Sequence, residues 1–189
     1  MSLLGAEAAA PVPADLAGLL AAGGQLTRSE AGAQLTIVVD HPWRASVLVA
    51  ECARRGLAAT CVPTPSEHIG VRTAHSGRLS PLADAWCDGV VLRVPRSFTL
   101  DGQVLRLWVE AAGQHETGGA YVLPVGRADL ATAEALGAAL AAVGLPAQLV
   151  TPRGGSGPSY RIVGKRRIAR LIEMVGDPPK QAPGDIWPS

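Results

Sequence analysis

The residues of this chain best equipped for chemistry are cations. Between positions 153 and 170 stand Arg153, Arg161, Lys165, Arg166, Arg167 and Arg170, with no acid among them. They join a glycine-rich loop, Gly154-Gly155-Ser156-Gly157, to the start of a predicted helix. Loop N–H groups, a helix N-terminus and guanidinium groups can share the oxygens of a phosphate chain. A structural reading stands beside that one: Arg167 and Arg170 solvate the outer face of an amphipathic helix that buries Ile168, Leu171 and Ile172. The loop is not a nucleotide-binding P-loop, because Arg166 follows Gly164-Lys165 where Ser or Thr belongs and the upstream spacing is missing. Cys52, Cys61, His68 and His75 are separated by eight, six and six residues, a pattern that suits core cysteines and surface histidines better than zinc. No Ser-His-Asp or Cys-His set assembles. Neither a metal nor a cofactor is expected.

The whole chain limits what partner these cations can serve. Its 189 residues are 48% hydrophobic, enough to bury a core, and carry a formal charge of only +1, so any basic patch is local. The first basic residue is Arg28, and no apolar run reaches the roughly 20 residues of a membrane span. A soluble, intracellular protein is expected, in the cytoplasm and without a membrane partner. Three cysteines do not make a disulfide framework and are expected as buried free thiols. Abundant Ala, Gly and Arg, with Lys165 and Lys180 the only lysines, suits a GC-rich genome such as an actinobacterium's.

An internal repeat supplies the scaffold. At a shift of 89 residues Leu16 matches Leu105, Ala22 matches Ala111, and Gly24-Gln25 matches Gly113-Gln114. At 88 the pairs are Leu35/Leu123, Ala50/Ala138, Gly56-Leu57/Gly144-Leu145 and Val62/Val150. The shift returns to 89 for Arg72/Arg161, Arg78/Arg167, Leu82/Leu171 and Asp88/Asp177. Both changes of shift fall in expected loops, where insertions are tolerated.

Periodicity gives each half the order α-β-β-α-β-β-α. In the first half, Asp15 is expected to cap a helix over residues 16–23, stopped by Gly23-Gly24. After a short strand, residues 34–40 alternate as a strand, with Leu35, Ile37 and Val39 on the covered side. Pro42 opens a helix to residue 55, stopped by Gly56. Strands follow over 58–63 and 69–73, and a helix over 80–87. In the second half, helices are expected over 100–112, 130–143 and 165–175, with strands near 114 and over 121–125, 147–151 and 160–163. Repeats over 12–88 and 100–177 are thus linked by residues 89–99 and followed by a Pro-rich tail, 178–189, expected to be an unpacked extension. Trp86 and Trp108 fall at core positions, Trp43 at a helix start, and Trp187 in the tail.

The stretch Leu16-Ala17-Gly18-Leu19-Leu20-Ala21-Ala22-Gly23-Gly24 and this element order resemble a LAGLIDADG unit. Ala111-Ala112-Gly113, Gly144-Leu145-Pro146-Ala147 and residues 168–176 further resemble the LAGLIDADG-like domain of WhiA-type sporulation regulators. The resemblance spans about residues 14–177. It implies an α+β fold: a tandem repeat about a pseudo-twofold, with saddle-like antiparallel sheets covered by helices on one face and offered to duplex DNA on the other. Ala17, Gly18, Ala21 and Ala22 are small enough for one signature helix to approach its partner. In the second copy, Arg106 and Trp108 replace small or aliphatic residues. In LAGLIDADG nucleases the eighth position of each signature helix carries a metal-binding carboxylate. Those positions are Gly23 and Ala112 here, with Glu110 the nearest acid, so no catalytic residue and no enzyme activity are expected. The regulators carry a helix-turn-helix domain after the repeats, and none is expected within these 189 residues.

These readings lead to a non-catalytic DNA-binding or transcription-associated module, a monomer with an internal pseudo-dimer, using Arg28, Arg72, Arg78, Arg93, Arg96, Arg153, Arg161, Lys165, Arg166 and Arg167 on phosphates. Arg72 and Arg161, matched across the repeat, read either as a symmetric pair on the open sheet face or as edge-strand charges that block aggregation. The alternative for the whole chain is a protein-interaction module that has kept the fold and lost its nucleic-acid surface.

Overall fold

The computed structural model describes residues 9–89, 91–126, 129–151 and 157–189. Each half builds one four-stranded antiparallel sheet. In the first, α1 (Ala17–Ala21) precedes β1 (Gln25–Ser29), β2 (Gly32–Val39), α2 (Pro42–Arg54), β3 (Ala59–Pro63), β4 (Ile69–Thr73) and α3 (Ser80–Trp86). In the second, α4 (Gly102–Ala112) precedes β7 (Gln114–Glu116), β8 (Ala120–Pro124), α5 (Leu130–Ala142), β9 (Gln148–Val150), β10 (Ser159–Ile162) and α6 (Lys165–Val175). The strand orders are β1-β2-β4-β3 and β7-β8-β10-β9, the same topology twice. The repeat is therefore a structural one. Between the halves, β5 (Cys87–Asp88) and β6 (Val91–Leu92) form a small hairpin where only a connector is expected from sequence.

Alternation decides which side of each sheet is covered. Leu35, Ile37 and Val39 of β2 and Val71 of β4 are buried beneath the helices, as are Tyr121 and Leu123 of β8 and Tyr160 and Ile162 of β10. Among the described residues no helix covers the other face of either sheet. Gly56 and Gly144, matched in the repeat, end α2 and α5 with φ of 71° and 85°, a conformation only glycine adopts cheaply.

α1 and α4 join the halves. A Cβ on Gly18 would lie far inside van der Waals contact with the Val104 carbonyl oxygen and 3.0 Å from Leu107 Cβ, so only glycine permits this crossing. Arg106 and Trp108 do not obstruct it, because both point away from α1. Trp108 is fully buried and donates its indole N–H to Pro124 O at 2.8 Å, and Arg106 donates to Val175 O at 2.7 Å and Asp177 O at 2.8 Å. Two buried arginines tie the repeats as well. Arg44 of α2 donates to Val109, Glu110 and Gly113 carbonyls at 2.7–3.1 Å, closing the C-terminal end of α4. Arg55, just past α2, meets Asp15 at 3.1 Å, Glu51 at 2.5 Å and Gln103 at 2.9 Å.

Three expectations need correction. Asp15 is not the cap itself: the chain enters α1 through a 3-10 turn, Pro13–Leu16, and Asp15 accepts the Val12 N–H from inside it at 2.8 Å. Only Cys52 is fully buried, whereas Cys61 is exposed on an outer strand and Cys87 is partly covered. The tail is packed: Trp187 is buried, its indole N–H donates to Gly176 O at 3.0 Å, and Arg106 lies 5.1 Å above its ring. Proline and glycine content signalled an extended segment, but one aromatic with a polar edge is enough to anchor it. No helix among the described residues is long and apolar enough to cross a membrane.

Candidate nucleic-acid interface

The sheet faces turned away from the helices carry polar side chains in register. Strand pairing places Gln25, Thr36, Arg72 and Thr60 in one row across the first sheet. The equivalent row across the second is Gln114, Val122, Arg161 and Gln148. Both begin with glutamine on the outer strand and carry arginine on the third; the register aligns Thr36 with Val122, two residues off the Leu35/Leu123 match of the sequence repeat. Thr27, Gln34, Val38 and Val62 flank the first row, with Val38 54% exposed. Pro124, Ser159, Val150 and Glu116 flank the second, where Ala120 is buried.

Of the ten arginines and lysines expected to meet phosphates, two lie on these faces. Arg72 is exposed and makes no ion pair among the described residues. Arg161 is held by Glu116 through a short ion pair. Lys165, Arg166 and Arg167 are exposed together in the first turn of α6, directly after β10, and Arg167 also donates to Val163 O at 3.3 Å. Arg96 is exposed in the turn after β6.

Arg28 is elsewhere. It shares the covered side of β1 with Leu26, pairs with Asp84 of α3 at 2.7 Å and donates to Ala83 O. Arg78 reaches the Arg55 carbonyl at 3.4 Å, at the end of α2. Arg93 pairs with Asp88 at 3.2 Å across the connector hairpin. Arg153 and residues 154–156 of the glycine loop lie outside the described residues.

The sequence missed Glu116, Thr60 and Gln148 as members of this surface. Their signal is the register between β4 and β3 and between β10 and its neighbours, which alternation within single strands does not contain. Thr36 lies between the covered Leu35 and Ile37 and so faces outward by alternation, but only the register makes it the neighbour of Arg72.

At the C-terminal ends of the paired helices, Gly23 and Ala112 present no carboxylate. Gly23 has φ of 102° and packs against Gly126, which in turn meets Gly157, so the backbone beyond β8 rests on the end of α1. Glu110 is fully buried, 2.9 Å from Arg106 Nε, with Oε2 lacking a hydrogen-bond partner among the described residues. Burial pushes its carboxyl up to about 7; Arg106 acts against that rise and Glu51 adds to it. Cys52, Cys61, His68 and His75 do not converge, and no group of three or more His, Cys, Asp or Glu among the described residues is placed to hold a metal ion.

No protein-family model and no curated protein sequence matches the chain. Among solved structures it is similar to the homing endonuclease I-WcaI bound to its DNA recognition sequence, with a TM-score of 0.64 and 10% identity over 88% of this chain and 82% of that one. It is also similar to the N-terminal LAGLIDADG domain of DUF199/WhiA, with a TM-score of 0.61 and 13% identity over 90% and 84% of the two chains. The fold is LAGLIDADG-like. The chain spans 57% of full-length DUF199/WhiA from Thermatoga maritima. It covers 99% of I-DmoI in complex with DNA and Mn, with a TM-score of 0.53 and 13% identity.

These neighbours overturn one expectation. Gly23 and Ala112 predict a chain that is not an enzyme, yet the LAGLIDADG-like structures it is similar to include the homing endonucleases I-WcaI and I-DmoI. The fold is one on which endonucleases are built, and two unoccupied positions describe only themselves.

Proposed function

We propose that this protein binds duplex DNA across its two helix-free sheet faces and serves in transcription-associated control. The observation that carries the reading is the pair of matching rows, Gln25-Thr36-Arg72-Thr60 and Gln114-Val122-Arg161-Gln148, set about a helix pair whose approach Gly18 permits. The DNA in the I-WcaI and I-DmoI complexes supports it, and the likeness to DUF199/WhiA supports the regulatory setting. Lys165, Arg166, Arg167 and Arg96 approach phosphates along the rims, which positions the duplex without reading it. Arg28, Arg78 and Arg93, tied to other groups, contribute less.

Fluorescence anisotropy with a labelled duplex tests this. Binding is expected in about 50 mM salt, and the K165A/R166A/R167A variant is expected to weaken it roughly tenfold or more at every sequence alike. No binding by the full chain, or an unchanged affinity in the triple variant, would contradict the reading.

A further inference from the structure

The two repeats cover the inner sides of their first strands differently. In the first, α3 packs on β1 and β2, and Arg28 of β1 donates to Ala83 O at 2.7 Å. In the second, α6, the counterpart of α3, packs on α4, and His115, which stands where the repeat has Leu26, meets the C-terminal segment instead. His115 Nε2 lies 2.7 Å from Trp187 O, and Tyr121 donates its hydroxyl to Ile186 O at 3.0 Å. The two rings belong to the register pair His115–Tyr121 and meet edge to face at 5.1 Å. Trp187 and Pro188 are buried, whereas residues 177–185 before them are largely exposed. The cover is therefore a strap held by one aromatic side chain and a few bonds to its main chain, and so thin a contact opens before the core does.

The strand beneath the strap also serves the opposite face. β7 is three residues long and stands at the sheet edge, with His115 turned to the strap and Gln114 and Glu116 exposed on the side away from the helices. Glu116 reaches across β8 to Arg161 of β10 and neutralises it. Resting on the duplex-DNA reading, we propose that the C-terminal segment is an autoinhibitory strap. Docked through Trp187, it holds β7 so that Glu116 occupies Arg161; undocked, it lets β7 loosen and frees Arg161 for a phosphate. Arg72, Arg96, Lys165, Arg166 and Arg167 are exposed with the strap in place. Release adds Arg161 to them and withdraws a carboxylate from the same face. The Arg161–Glu116 pair is partly exposed, at 35% and 44%, so the gain is several-fold and not of orders of magnitude.

Duplex anisotropy and amide hydrogen exchange on the full chain test the strap together. Trp187→Ala is expected to speed exchange at residues 114–116, to tighten duplex binding several-fold and to steepen the log-log salt slope by about 0.9, the share of one added phosphate contact. Tyr121→Phe removes only the hydroxyl bond to Ile186 O; it is expected to act in the same direction and less, and it carries the test if Trp187→Ala does not fold. Glu116→Gln frees Arg161 with the strap still docked and is expected to tighten binding as far, so that adding Trp187→Ala to it gives no further gain. Unchanged exchange at residues 114–116, binding that stays the same or weakens on release, or two gains that add in full would each overturn the strap while leaving DNA binding in place. Failure of the parent chain and of every variant to bind a duplex would remove the underlying reading as well.

Discussion

Glu110 carries the most unusual chemistry of any single side chain here. Its carboxyl titrates near 7 in the folded protein against an ordinary 4.5, because burial disfavours the charge. Between those values the native state binds more protons than the unfolded chain, so this group's contribution to stability is full below 4.5 and is lost as pH rises to about 7. Glu110→Gln is expected to flatten that fall and to raise the urea midpoint relative to the parent at pH 8. An unchanged pH slope would show that Arg106 holds the carboxylate charged. Arg44 makes the opposite case, a buried cation with three carbonyl acceptors and Asp40 at 2.9 Å. Arg44→Met strands those groups and is expected to cost about 3 kcal/mol; a loss under about 1 kcal/mol would mean that water replaces the guanidinium. The burial of neither residue was legible in the sequence, although Glu110 stood out as the acid nearest Ala112. A lone Arg in an amphipathic helix reads as solvated, and only the partner repeat shows what it meets.

Elements were legible where period and punctuation agreed. β4 and α6 begin and end where alternation and the 3.6-residue pattern place them, and Pro42 opens α2 with Gly56 behind it. The start of α1 was misread because Asp15 can cap from Ncap or accept from within the first turn, and both look alike in one dimension. The tail was misread because composition reports the cost of ordering a segment and not the single anchor that meets it. Two predictions belong to this scale. Gly18→Ala drives a methyl into the Val104 carbonyl and is expected to lower stability by about 2–3 kcal/mol through separation of α1 from α4; a neutral effect in chemical denaturation would contradict the close crossing. Trp187→Ala is expected to free the tail, seen as faster proteolytic cutting within residues 178–189 while the repeats stay intact. Equal cutting rates would show that His115, which meets the Trp187 carbonyl at 2.7 Å, and Tyr121, which donates to Ile186 O at 3.0 Å, hold the tail alone.

At the scale of the molecule, a duplicated half builds two sheets with one side covered and one free, and small residues let the halves close together. That architecture was readable from the repeat, since a shift of 89 residues places Arg72 and Arg161 on equivalent strands. The chemistry of the free faces was not, because it depends on which strands become neighbours. The central claim is that these faces and their rims bind duplex DNA through exposed cations. Arg72, Arg96, Lys165, Arg166 and Arg167 make no ion pair among the described residues, so contact with about five phosphates is expected. The most direct measurement is the dissociation constant for duplex DNA as a function of salt concentration. Log-log plots should give association constants falling with a slope of about −4 to −5; a flat dependence, or no binding at the lowest salt, would contradict the account.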